Sequence, residues 1–304
     1  MSTDKEIQAI IKATDTAIEK FQGRIPAIQR LITNEIELLL KELKISNGIL
    51  SNDITNLRII GQIQSKVNSI ILNDKYSDSV KDFISSFSTI ADMQQAYISK
   101  ISSENPNFAY LEQLKSMSIV SVVKSLTEDG LRANISNKIS DILRQNITTG
   151  ASYHELRTQL SDFISTNESG IGALQRYTTQ ITTDAINQFN GQYLKSATDN
   201  LFLRWSMYVG SNLTTTREFC RHLTKKKYVY QPELQGILNG VIDGEEVEIN
   251  DSTELPNGMI PGTNTSNFQV YRGGYNCGHQ YVPVADEFVP INIRNTAYSK
   301  YGKL

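Results

Sequence analysis

Apolar residues recur three and four apart through most of the first 200 residues, the period of an α-helix with one buried face. Ile7, Ile10, Ile11, Ile18 and Phe21 mark the first stripe, with Thr14 as its polar interruption, and Gly23 closes it. Pro26 suits the first turn of a second helix, where its missing N–H costs nothing. That helix carries Ile28, Leu31, Ile32, Ile36, Leu39 and Leu43 and ends at Gly48. The spacing predicts a third helix from about Asp53 through Ile71 and a fourth from about Ser77 to Ile101. Asn105-Pro106 should break the chain, because the residue before proline disfavours the helical region. A short helix around Tyr110 and Leu114 and a longer one from about Ile119 to Leu143 follow. Gly150 stops that helix, and Ser152 with Glu155 three residues on forms a capping box that starts the next. A long helix then carries Leu174, Tyr177, Ile181, Ala185, Phe189 and Tyr193.

After Asn200 the period changes. Leu201 to Val209 is dense in aromatic and branched residues, as strands are, with Leu203, Trp205, Met207 and Val209 on one face. Residues 211–216 lead, with a threonine as N-cap, into a short helix over about 216–224 whose buried side is Phe219, Cys220 and Leu223. Pro232 starts another short helix. The alternation on either side of Asp243-Gly244 predicts a hairpin. Residues 251–267 read as a loop, and Tyr275 to Val282 as a last strand. The tail beyond Pro290 is expected to lie against a neighbour or to be free. The expected fold class is therefore α+β: a mainly helical N-terminal region, bundle or elongated arm, followed by a small domain of a few antiparallel strands. The expected divisions are 1–148 (helical region), 149–200 (linker and entry helices), 201–290 (small α+β domain) and 291–304 (tail).

Composition narrows the classes. At 304 residues the chain suits one large or two modest domains, and an apolar fraction of 39% with 8% aromatics fits an elongated helical protein or one subunit of an assembly. The net charge of −2 lacks the basic excess of a dedicated nucleic-acid binder. Lys225 to Lys227 is too short to be a phosphate patch by itself and reads as a solvated turn. No run approaches the length of a transmembrane helix, and the N-terminus lacks a signal-peptide layout, so no membrane is expected. His154 falls in the first turn of a helix as an ordinary surface residue.

The scarce residue types gather late. Residues 201–284 hold the one tryptophan, Trp205, both cysteines, Cys220 and Cys277, and two of the three histidines, His222 and His279. Two Cys-x-His pairs suggest zinc, whose usual ligands are thiolate and imidazole. Residues two apart in a strand point the same way, so Cys277 and His279 can converge; residues two apart in a helix do not, so His222 is less suited than Cys220. A three-ligand site of Cys220, Cys277 and His279 is the simplest metal reading. Packing of the two cysteines in a small core, a disulfide, and a Cys–His nucleophile and base are the other readings. No Asp or Asn orienter and no oxyanion motif stands near, so no catalytic or cofactor-binding residue is expected. Arg217 and Arg272 either fix a carboxylate or phosphate or tie the cysteine-bearing segments together through backbone carbonyls. Gly273-Gly274 lies outside any dinucleotide-binding context.

Residues 139–285 resemble the Mu F-like minor head proteins of tailed bacteriophages, also called the phage head morphogenesis family. The resemblance is carried in order by the entry segment from Asn146 to Ile164, the helix around Ile181 to Tyr193, Trp205 with Tyr208-Val209-Gly210, Thr216-Arg217 with Cys220, and Gly273-Gly274-Tyr275-Asn276-Cys277-Gly278-His279 before Val282-Pro283-Val284. Many members have a Cys-x-x-Cys pair and a His-Pro-x-Cys-Arg-Cys ending, where this chain has single cysteines and Gly278.

The resemblance implies a structural virion protein rather than an enzyme, made in the host cytoplasm and held at the capsid interior or portal vertex. It would act in head assembly or genome ejection. Portal protein, major capsid or connector proteins would be its partners, with packaged DNA as a further contact, and several copies would sit in a larger assembly. The small domain would be held by Trp205, Tyr208, Arg217, Phe219, Cys220, Gly273, Gly274, Cys277 and His279. Two alternatives stand beside it: an effector enzyme, nuclease or transferase, in residues 200–290, and a DNA-contacting ejection factor.

Overall fold

The computed structural model describes residues 4–102, 108–167 and 170–304. In chain order the elements are α1 (Asp4–Gln22), α2 (Ile25–Leu40), the strands β1 (Ile45–Ser46) and β2 (Ile49–Leu50), α3 (Ile54–Ile71), α4 (Asp74–Ile101) and α5 (Phe108–Leu126). Then come α6 (Glu128–Leu131), which continues through a π-helical turn at Arg132–Ser136 into α7 (Asn137–Thr149), α8 (Tyr153–Ile164) and α9 (Ala173–Asn200). The remainder holds β3 (Trp205–Val209), α10 (Glu218–Lys226), β4 (Tyr228–Tyr230), α11 (Leu234–Leu238), the hairpin β5 (Val241–Ile242) with β6 (Glu245–Glu246), and the hairpin β7 (Ile249–Asn250) with β8 (Leu255–Pro256). The chain finishes with α12 (Phe268–Tyr271), β9 (Gln280–Val284) and α13 (Ile291–Tyr301). The protein is α+β and 67% helical, with N-terminal helices followed by small antiparallel sheets.

The helix starts are set locally. Asp53 caps α3, its carboxylate accepting the backbone N–H groups of Thr55 and Asn56. Ser152 caps α8 by accepting from Glu155 N–H, while Gly150 closes α7 in the left-handed region. Asp243-Gly244 takes positive φ at both residues, as a tight hairpin turn requires.

Several boundaries differ from expectation. α5 is one helix to Leu126, because residues 115–119 contain no breaker. α2 stops at Leu40 rather than running on to Gly48; Asn47 and Gly48, both at positive φ, turn the β1–β2 hairpin instead. A second short hairpin, β7–β8, opens the segment read as a loop. Thr216 does not cap α10; Arg217 holds the N-cap position without a side-chain bond, and Thr216 Oγ1 accepts from Leu213 N–H instead. The last strand begins at Gln280, leaving Cys277 and His279 in the turn before it. The expected break at Asn105-Pro106 lies outside the described residues.

The chain divides into two compact units built from interleaved stretches, where consecutive ones were expected. One unit comprises residues 17–85 and 120–182. Ile25, Ile32 and Ile36 of α2, Ile63 and Val67 of α3, and Leu143 and Ile147 of α7 are buried in it. Gln29 Nε2 donates to Ile164 O at 2.8 Å, and Arg24 pairs with Asp82 at 2.7 Å.

The other unit comprises residues 1–16, 86–119 and 183–304. It gathers the sheet together with helical residues from far upstream, because those helices bury polar and aromatic groups against it: Tyr97 donates its hydroxyl to Pro283 O at 2.6 Å. Thr14 is not an idle interruption. It accepts from Asn190 Nδ2 at 3.0 Å, and Gln94 Nε2 donates to Asn190 Oδ1 at 3.1 Å, making a buried polar seam. β3 is the central strand, antiparallel to β4 and β9, with Tyr208 opposite Tyr281. Trp205 stacks on Tyr230 with centroids 4.8 Å apart. The tail is neither free nor loose: α13 sets Tyr298 against the edge of Trp205, and Tyr230 donates its hydroxyl to Gly302 O at 3.1 Å.

Candidate functional site

α10 is amphipathic, with Phe219, Cys220 and Leu223 on its buried side. That face packs with Tyr208 of β3, Phe268 of α12 and Tyr281 of β9 into one apolar core that also holds Cys277. The helical period turns His222 away from Cys220. His222 Nδ1 instead meets Glu245 Oε2 at 2.8 Å, near the surface. His154 is exposed on α8.

Cys220, Cys277 and His279 come together. Their two Sγ atoms and one imidazole nitrogen all lie within 4.8 Å of one another, and all three residues are buried. Cys277 Sγ is 3.5 Å from His279 Nδ1. The Tyr208 hydroxyl completes the group, 3.3 Å from Cys220 Sγ and 3.8 Å from Cys277 Sγ. The His279 ring lies nearly parallel to the Tyr208 ring, centroids 5.4 Å apart, and its Nε2 is buried without a hydrogen-bond partner among the described residues. Both cysteines are free thiols.

The turn that delivers Cys277 and His279 depends on its two glycines. A Cβ on Gly273 would fall 2.0 Å from Cys277 Sγ and 3.1 Å from Cys220 Sγ. Gly274 adopts φ +84°, and a Cβ there would meet Gly258 O at 1.9 Å. Arg217 straddles the same turn, Nη1 donating to Gly273 O at 2.7 Å and Nη2 to Tyr275 O at 2.8 Å. Arg272 is the more buried, at 2% exposed. Its Nε donates to His279 O at 2.5 Å, Nη1 to Gln269 O at 3.3 Å, and Nη2 to Asn187 O at 2.6 Å and Oδ1 at 3.3 Å. Both arginines thus tie segments together through backbone carbonyls, one of the two roles open to them in the sequence. Asn187 is a member that the sequence reading missed, since a polar residue within a long helix carries no local sign of its partner. Asp184 likewise accepts Asn276 N–H at 2.7 Å.

The electrostatics of the cluster favour one thiolate. The hydrogen bond from the Cys220 thiol, helped by His279 and the Arg272 guanidinium, holds the Cys277 thiol well below its ordinary range against the opposing effect of burial. The same bond, with burial, pushes Cys220 up, and burial pushes Tyr208 up. A thiolate beside an imidazole is the pairing of a nucleophile and base. Here Cys277 is only 6% exposed and Cys220 1%, so neither sulfur offers a face to a bulky substrate. Two sulfurs and an imidazole nitrogen within 4.8 Å of one another also form a donor set that suits a zinc ion.

Compared with protein-family models, with curated proteins and with solved structures, the chain finds no match. No described helix is long and apolar enough to cross a membrane.

Lys225 to Lys227 is solvated only in part. Lys225 is exposed, but Lys226 reaches back to Glu233 at 3.2 Å and Asp243 at 2.5 Å, and Lys227 closes α10 at positive φ.

Proposed function

We propose that this protein is a structural component of a tailed-phage head, held in few copies at the portal vertex or capsid interior. The observation that supports this most is the convergence of the residues carrying the resemblance. Tyr208, Arg217, Phe219, Cys220, Gly273, Gly274, Cys277 and His279 are scattered over 72 positions, yet they meet in one sheet-and-helix core or on the turn beside it, while Trp205 packs separately with Tyr230 and Tyr298. Residues used in this way hold a fold together rather than line a substrate cleft, as expected of a module that docks on other subunits.

The helical residues 86–101 and 183–200 are part of the same compact unit and would present that module to portal, capsid or connector subunits. The test is direct. Particles of the phage that encodes the chain are purified on a density gradient, and their proteins are quantified by mass spectrometry against the portal protein. The chain should be present at a fixed ratio to portal and should resist external protease until the head is opened. Its absence from particles that contain portal and capsid proteins would sink the reading.

A further inference from the structure

Three of the donor distances within the buried cluster have a common geometric meaning. A tetrahedral zinc ion with bonds of about 2.0–2.3 Å keeps its donors roughly 3.3–3.8 Å apart. Cys277 Sγ to His279 Nδ1 is 3.5 Å, Tyr208 hydroxyl to Cys220 Sγ 3.3 Å, and Tyr208 hydroxyl to Cys277 Sγ 3.8 Å. We propose that Cys220, Cys277, His279 and Tyr208 form a four-donor structural zinc site, with the tyrosine oxygen as the fourth ligand. This does not rest on the assembly reading.

Charge supports the fourth donor. Arg272 is buried beside the cluster, and all four oxygens it donates to are uncharged. Burying a cation without a counter-charge is costly. Zinc with two thiolates and a neutral imidazole carries no net charge and leaves the guanidinium unbalanced. Adding the Tyr208 phenolate makes the centre −1 and cancels it. Binding releases the protons still carried by Cys220, Cys277 and Tyr208; each S–H or O–H bond lost is replaced by a bond to zinc. The ion's own charge reverses the effect of burial on the phenol. Soft thiolates select zinc over magnesium or calcium.

The ring of His279 is positioned by stacking on Tyr208 and by the bond from Arg272 to its own carbonyl. Among the described residues its Nε2 has no partner to donate to. Such outer bonds are worth roughly 10–100-fold in metal affinity, so the site should bind more weakly than one with a complete surround.

The full chain is reduced, stripped with chelator and titrated with zinc chloride against a chromophoric competitor, and bound metal is counted by mass spectrometry. One zinc per chain is expected, with proton release. Cobalt(II) in its place should show a thiolate charge-transfer band. Cys277→Ser and His279→Ala should abolish stoichiometric zinc, and His222→Ala should leave it. Tyr208→Phe should keep one zinc at about 10-fold or more lower affinity. A reduced, folded chain that retains no zinc overturns the site, as does zinc that persists in folded Cys277→Ser. Unchanged affinity in Tyr208→Phe removes the tyrosine from it. If the cysteine and histidine variants do not fold, the cobalt spectrum of the unaltered chain decides, and absence of the thiolate band overturns the proposal.

Discussion

Arg272 combines a positive φ of 26° with a buried guanidinium, two features that an ordinary surface arginine has no reason to carry. Its fork spans carbonyls of α9, α12 and the turn before β9, so a lysine cannot replace it: one ammonium reaches one or two of those oxygens and leaves the rest dry. Arg272→Lys should lower unfolding stability by about 3 kcal/mol or more, measured by urea denaturation. A loss below about 1 kcal/mol would mean that water, not the arginine, satisfies those carbonyls. Gly273→Ala should disturb the sulfurs next to it, seen as faster reaction of Cys220 and Cys277 with a thiol reagent in the native state. At this scale part of the site was legible. The segregation of Cys220 from His222 followed from helical period alone. The approach of Cys277 to His279 was anticipated for the wrong reason: a tight glycine turn brings them together, not strand alternation. Tyr208 as a neighbour of both sulfurs was hidden, since its register with Tyr281 depends on pairing across 73 residues.

Elements were legible where a local signal sets them. Asp53 shows why, and it makes a pH prediction. The N–H of Asn56, with Lys44 and Thr55, holds the Asp53 carboxyl below its ordinary range. Its contribution to stability is therefore present above the unfolded carboxyl value of about 4 and fades as pH falls through the lower folded value. Asp53→Asn keeps a capping oxygen that does not titrate. The stability difference between wild type and variant should shrink between about pH 5 and pH 2 in urea midpoints. A difference that stays constant would detach the cap from acid sensitivity. The polar seam was not legible, because Thr14, Gln94 and Asn190 sit on three helices far apart in sequence. Asn190→Ala strands the Gln94 amide and should cost about 1–3 kcal/mol by thermal or urea unfolding, more than a surface asparagine would. The β1–β2 and β7–β8 hairpins have strands of two residues, too short for any alternation to register.

At the scale of the molecule, the α+β class was legible from the switch of period near residue 200, but the composition of the compact units was not. Hydrophobic period reports which face of a helix is buried and says nothing of which distant segment covers it. The tail illustrates this. α13 lacks a continuous apolar stripe and reads as a tail that lies against a neighbour or is free; in the structure Tyr298 closes over Trp205 and donates to Asp286 Oδ2 at 2.5 Å. Ending the chain after Pro290 should uncover the one tryptophan and shift its emission to longer wavelength, with a lower melting temperature. An unchanged spectrum would show that the tail does not cover Trp205.

The interleaving also constrains the order of events at the ribosome. The unit that holds the cysteine cluster needs residues 1–16 and residues 183–304 together. At roughly 5–20 residues per second, the first segment waits about 15–60 s for the last of its partners to be made. For that interval Ile7, Ile10 and Ile11 have no completed core to enter, and a nascent chain stalled anywhere before α13 emerges displays them as a chaperone substrate. Growth temperature and translation speed should therefore govern the yield of soluble protein more strongly than they would for a chain whose units follow one another in sequence.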